Sequence, residues 1–235
     1  MNKKIVAAVT AAAVLAGFST SAMAAREAGD WIFRVGMTNV DPKQDNGNID
    51  LDLGGALPVT VDDDTQLSLT GAYMFTQNFG VELLASLPFE HDVSIAGVQV
   101  GSTKHLPPTL NAQWHFNPQG NFHPYIGAGI NYTTFFSEEW NLENLASTVS
   151  VASGGDPSFA EAFALLSSIN GEVSLDDSFG YDIQAGVDFE IAENLMVNFD
   201  VRWIKIESDL KIAGEKVTTV KIDPLTVGLS LGWKF

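Results

Sequence analysis

Eight stretches of the chain alternate apolar residues with small or polar ones, and no other feature narrows the possible folds as far. The C-terminal stretch is the clearest. Leu225, Val227, Leu229, Leu231, Trp233 and Phe235 fall on one face of an extended strand, and Thr226, Gly228, Ser230, Gly232 and Lys234 on the other, because side chains alternate with period two. The same rhythm runs from Trp31 to Thr38, Leu67 to Phe75, Phe79 to Leu87, Thr109 to Phe116, Tyr125 to Tyr132, Phe179 to Glu190 and Leu195 to Trp203. The links alternate as well. Short ones sit at Gln77-Asn78, Asn117 to Asn121 and Ala192 to Asn194; long ones run from Val40 to Asp64, Glu90 to Lys104, Ser137 to Asp177 and Ile206 to Val220. An even number of strands, with short turns at one end and long loops at the other, is the pattern of an outer-membrane barrel with both termini in the periplasm. The expected fold is all-β: an eight-stranded antiparallel transmembrane β-barrel with long extracellular loops and short periplasmic turns.

The aromatic residues fit that reading. Phe75, Phe79, Trp114, Phe116, Phe189, Trp233 and Phe235 lie by the short turns or the C-terminus, and Tyr132, Phe136, Phe179, Tyr181 and Trp203 toward the long loops. Two belts at opposite strand ends match two lipid–water interfaces. The competing fold is a soluble barrel of the lipocalin type, whose apolar face points inward. Its other face would carry many Lys and Glu, whereas here it carries Gly, Ser, Thr and Asn. The tail ending on Phe235 then closes the barrel against the first strand, so that no backbone edge meets lipid. It also has the form by which barrel-assembly machinery recognises its clients.

The first segment stands apart. MNKK is a positive start, Ile5 to Phe18 an apolar run too short to span a bilayer, and Ala22-Met23-Ala24 a small-residue cleavage site. The expected organisation is a signal peptide over 1–24 and the barrel over 25–235. There is no cysteine, and no later segment is continuously apolar over helix-spanning length. The formal charge of −17 repels nucleic acid phosphates. Acidic residues crowd the long loops, including Asp62-Asp63-Asp64, but that run lacks the spaced oxygen ligands and glycine of a calcium loop. No metal and no cofactor are expected. Phe159, Phe163 and Leu166 stand at helical spacing and suggest a short amphipathic helix over the barrel mouth.

NFGVELLASLPFEHD (Asn78 to Asp92), KHLPPTLNAQWHF (Lys104 to Phe116), HPYIGAGINYTTFF (His123 to Phe136) and DPLTVGLSLGWKF (Asp223 to Phe235), together with REAGDWIFRVG near the start, resemble the OmpW family of small outer-membrane proteins. The likeness covers nearly all of the chain after the first segment except Ser137 to Asp177. It implies a narrow, partly hydrophobic lumen that passes small apolar compounds across the outer membrane. It also sets Leu84 at the constriction of that lumen. Arg202 occupies a neighbouring slot where an aromatic is expected, so the chain departs from the family there.

An eight-stranded barrel encloses little more than its own side chains. Inward-facing Arg34, Glu82, His115, Asp188, Asp200 and Lys234 fall toward the periplasmic end, where charges of both signs should pair as a plug. Higher up, Leu84, Pro88, Pro107 and Ile204 are apolar and, with Arg202, are the candidate channel lining. Leu84 serves either channel or core packing. Pro88 and Pro107 lack an amide to donate, so they either end their strands or open a lateral gap between them. His91-Asp92 and His105 lie on one loop and could meet, but no catalytic motif accompanies them, and exposed loop histidines are commonly inert. The expected function is therefore a non-enzymatic channel for small hydrophobic solutes, with outer-membrane lipids, lipopolysaccharide and the assembly machinery as partners. The alternative is a structural or adhesion barrel, also usable by phage or bacteriocins, whose lumen would be polar throughout.

Overall fold

A computed structural model describes residues 25–43, 46, 48–50, 56–95, 97–141, 173–212 and 214–235. The expected signal peptide and the helix expected around residues 158–166 lie outside them. Among the described residues the strands are β1 (Trp31–Asp41), β2 (Asn48–Asp50), β3 (Ala56–Val61), β4 (Asp64–Met74), β5 (Phe79–Ser86), β6 (Phe89–Ile95), β7 (Val98–Leu106), β8 (Thr109–His115), β9 (Phe122–Trp140), β10 (Val173–Leu175), β11 (Ser178–Ala192), β12 (Leu195–Ile204), β13 (Glu207–Ile212), β14 (Glu215–Lys221) and β15 (Leu225–Lys234).

Eight of these close into an antiparallel barrel. β1, β4, β5, β8, β9, β11, β12 and β15 each pair with the next, and β15 returns to β1 from Ile32↔Lys234 to Asp41↔Leu225. Trp31 and Phe235 exchange backbone hydrogen bonds of 3.0 and 2.9 Å, which completes the seam. Closure is obligatory in hydrocarbon, where an unpaired amide or carbonyl finds no water. The apolar face points outward: Phe33, Leu69, Leu83, Leu110, Ile126, Ile183 and Leu229 are exposed, while Arg34, Glu82, Asn111, Gln184 and Arg202 are buried in the lumen. That direction rules out a lipocalin-type interior. The short turns sit where expected, and two of them place Asn117 and Asn194 at φ 54° and 60°, a left-handed conformation that Asn tolerates better than most residues.

The described parts of the long connections are largely strands. β9 runs for 19 residues, about 60 Å at ~3.3 Å per residue, against an apolar band about 25 Å tall. Its lower part pairs with β8 and β11, and its upper part with β7 from Leu106↔Thr134 to Gly101↔Trp140. β7 continues through β6 and β3 to β2, while β10, β13 and β14 form a second sheet. Asn46 joins the two. Its side chain donates to the Lys221 carbonyl at 2.9 Å and accepts from the Val61 amide at 3.1 Å, and it is fully buried. These sheets surround a buried cluster that includes Val59, Val93, Ile95, Phe135, Ile206, Leu210, Val220 and Ile222.

Replacing Asn46 with Ala should leave two part-buried backbone groups without their partner, at a combined local cost of about 1–2 kcal/mol. Amide exchange in β3 and β14 is then expected to quicken by roughly tenfold, while exchange in β1 and β15 stays as in the parent. Unchanged exchange in β3 and β14 would deny Asn46 this joining role.

Candidate functional site

The lumen divides by depth into an ionic layer and an apolar chamber. In the ionic layer Arg34 donates from Nε to Asp188 Oδ1 at 2.9 Å, from Nη2 to Asp188 Oδ2 at 2.6 Å and from Nη1 to Glu82 Oε2 at 2.9 Å. Glu82 Oε1 accepts from Arg202 Nη2 at 3.1 Å, and Arg202 also lies 3.6 Å from Asp200. Arg26 enters from the N-terminal segment and bonds Asp188 and His115 Nδ1. Because a guanidinium only donates, His115 accepts at Nδ1 and donates from Nε2 to Gln113 Oε1 at 3.1 Å. Asn198 donates to Asp188 at 2.8 Å and to the Tyr125 hydroxyl at 3.0 Å, and the Arg34 guanidinium lies 5.6 Å from the Tyr125 ring centre. Space for these large groups comes from small residues opposite: a Cβ at Gly186 would lie 2.5 Å from the Tyr125 ring. Three arginines thus meet three carboxylates, and neutralising partners are what make charge tolerable at such burial.

The expected members are distributed differently than the sequence suggested. Arg34, Glu82 and Asp188 meet, with Asp200 at the margin. Arg202 does not line an apolar constriction; it joins the ionic layer, because Glu82 and Gln184 offer it acceptors there. Lys234 is separate and lies 3.5 Å from Glu190, nearer the barrel end, with the Ala25 carbonyl at 3.1 Å. Leu84 faces inward, beside Thr38, Ser68 and Thr226 in a small mixed pocket. Ile204 joins the upper apolar cluster.

Above these layers lies a chamber of about 480 Å³, its opening included, walled by Val59, Val93, Phe135, Leu210, Val220 and Ile222 among others. Leu84, Pro88 and Pro107 are not part of its lining. His91 and His105 are. They do approach each other, with ring centres 4.9 Å apart and planes 19° from parallel, but they are buried at 2% and 1% exposure rather than lying open on a loop. Burial pushes both rings below the ordinary histidine range, opposed at His91 by the Asp62 carbonyl and by the Asp62, Asp63 and Asp64 carboxylates.

Beside the chamber floor the strand ladder is broken. β5 and β8 pair as far as Leu84↔Thr109, and β6 and β7 resume at Phe89↔His105. Between these pairs one segment has residues 85–88 and the other 106–108, so one side carries an extra residue and neither Pro88 nor Pro107 is laddered to the other. Leu87 still donates to the Leu67 carbonyl and Tyr132 to the Pro108 carbonyl, which holds each lip to its outer neighbour. The extra residue inverts the strand: Glu82 and Leu84 face inward before it, Phe89, His91 and Val93 after it.

The family model described as the OmpW family matches residues 27–156 and 158–235. The chain belongs to the OmpW family. Outer membrane protein W of Escherichia coli (strain K12) is 35% identical over 240 residues, 100% of either chain. The crystal structure of the outer membrane protein OprG from Pseudomonas aeruginosa matches with a TM-score of 0.69 at 32% identity, over 91% of this chain and 99% of that one. A more distant relative, 23% identical over 89% of this chain and 90% of its own, is the dibenzothiophene metabolism operon protein PahQ of Pseudomonas aeruginosa. This OmpW-family barrel therefore resides in the outer membrane, among its lipids.

Sequence reasoning missed Arg26 and most of the chamber wall. The wall had a signal. His91, Val93 and Ile95 alternate with Asp92 and Ser94, a strand pattern inside a presumed loop. Arg26 had none, since nothing in the stretch AREAGD separates a buried arginine from an exposed one.

Two outcomes follow for this OmpW-family barrel. Asp188→Ala leaves Arg26 and Arg34 without their shared carboxylate, and should cost about 3–5 kcal/mol, read as a lower unfolding midpoint in denaturant. An unchanged midpoint would show that the network contributes nothing net. For the buried histidines the unfolded segment binds protons first, near pH 6.5. Their contribution is therefore complete above that pH and is lost as pH falls toward the lowered folded values. Exchange of β6 and β7 amides, referenced to β11, should quicken between about pH 7.5 and about pH 5 beyond the intrinsic rate change; no relative change would contradict the assignment.

Proposed function

We propose that this barrel is a non-enzymatic channel for passive uptake of small hydrophobic molecules, with lateral exit into the bilayer. The observation that carries the reading is an apolar chamber above an ion-paired lumen, with buried polar residues such as Asn111 and Asn131 between them and a ladder break near the chamber. An apolar solute in the chamber has two ways onward. Downward it meets Arg34, Glu82, Asp188 and Arg202, held in a bonded network that gives up its pairs only at high cost. Sideways it meets the interval between Leu84 and Phe89, then hydrocarbon. Passing from a wet constriction into hydrocarbon gains about 25 cal/mol per Å² of apolar surface, so the lateral path is favoured. Leu84 and Pro107, both buried, and Pro88 form the inner rim of that path. Ile204 forms part of the chamber's apolar surround.

The name of the distant relative PahQ refers to dibenzothiophene, a fused apolar aromatic, which accords with a hydrophobic solute. A structural or adhesion barrel would be expected to carry polar side chains throughout its lumen, whereas here apolar side chains line the space above the ionic layer. In this reading lipopolysaccharide and phospholipid surround the exposed aromatic belts, and the barrel-assembly machinery engages the strand ending at Phe235, an exposed residue.

Flux of a small apolar compound into liposomes tests the route. Leu84→Asp should slow uptake by roughly tenfold, equivalent to ~1.4 kcal/mol, without unfolding the barrel. Pro88→Thr with Pro107→Thr restores donors across the break and should slow it as well. If both variants transport like the parent while Glu82→Ala changes the flux, the solute passes straight down and the lateral path is wrong.

A further inference from the structure

The chamber wall is apolar, yet it holds nitrogen atoms without partners. His91 Nδ1 lies 2.5 Å from the Asp62 carbonyl oxygen. A carbonyl can only accept, so the proton is on Nδ1 and His91 Nε2 is left as a bare acceptor. Among the described residues that Nε2 is buried and unpartnered, as are both ring nitrogens of His105 and Nε1 of Trp140, a donor on the same wall. A neutral imidazole carries one N–H and one lone pair, so His105 contributes one donor and one acceptor. Both rings line the chamber, stack on each other and on Phe89, and Phe135 lies tilted against His105. Buried polar groups are almost always satisfied, and this pair has no partner for that purpose among the described residues.

We propose that His91 and His105 form a recognition site for the hydroxyl group of an otherwise apolar solute, an aliphatic alcohol or a phenol. This rests on the channel reading and names what the chamber selects. A hydroxyl donates one hydrogen bond and accepts another, so it can give its proton to His91 Nε2 and receive one from His105. An ether or ketone accepts only and leaves His91 Nε2 bare. A hydrocarbon leaves every nitrogen bare. An ammonium ion finds no carboxylate among the described lining residues, and a carboxylate would be buried without a cation near the acidic run at Asp62 to Asp64.

Three probes of equal heavy-atom count separate these cases: 1-octanol, 1-methoxyheptane and n-nonane. The whole protein, with ¹⁵N-labelled imidazoles, is placed in lipid nanodiscs and titrated with each. The chain has four histidines, so His115 and His123 serve as internal references. Octanol should move the His91 and His105 ring signals, leave the other two unmoved, and bind about tenfold more tightly than methoxyheptane, the usual effect of one unmade buried hydrogen bond. In His105→Phe the octanol-to-methoxyheptane ratio should fall to near one. Equal binding of octanol and methoxyheptane by the parent, or a ratio unchanged in His105→Phe, overturns the proposal, and the parent's ranking decides even if the variant fails to fold. Uptake is measured separately in liposomes. If no probe crosses faster than through protein-free vesicles, the channel reading falls, while the nanodisc ranking still decides the hydroxyl site.

Discussion

Hydrocarbon offers a backbone amide no partner, and the rest of this structure follows from that constraint. A sheet inside a bilayer has to close on itself, so β1 meets β15 and Trp31 pairs with Phe235. The outer face must then be apolar, which sends polar and charged side chains to the inside. With only eight strands the inside is narrow. Charges placed there are within bonding distance of one another, and they persist because Arg26, Arg34 and Arg202 have Asp188, Glu82 and Asp200 to meet. The ionic layer is thus a consequence of closure in lipid.

Above the bilayer the surroundings become water, and the logic of the two faces reverses. Along β12 the inward positions are polar at Asn198 and Arg202, then apolar at Ile204 and, past the strand end, Ile206. β9 changes from Asn131 and Thr133 to Phe135 in the same way. The strands that continue upward accordingly hold an apolar interior, and the chamber forms where the two regimes meet. On one strand the change coincides with the extra residue near Pro88, which also interrupts the ladder. The inversion of surroundings, the chamber and the break are therefore close together along the barrel axis.

How far this could be read from the sequence follows the same division. The eight barrel strands were legible because lipid demands long, uninterrupted apolar alternation on the outer face, as from Leu225 to Phe235. The short turns were legible from Asn117 and Asn194. The upper strands were obscured because β2 and β10 are three residues long, and because their pairing is distant in sequence. β3 pairs with β6, and Asn46 reaches Lys221, neither of which is implied by local pattern. Pairing among lumen charges was foreseeable in kind but not in detail. Arg202 faces inward on the expected parity, yet whether it met an aromatic constriction or Glu82 depended on a neighbour across the barrel.

The most direct test of an apolar chamber sealed below and open sideways is to locate an apolar solute by its own scattering. Crystals of the barrel soaked with 1-bromooctane would give anomalous peaks for bromine. The expected positions are the chamber between Phe135 and Val220 and the gap between Leu84 and Phe89, with no peak below the Arg34–Asp188 pair. Bromine at or beneath that pair, on the side of Lys234, would contradict the account.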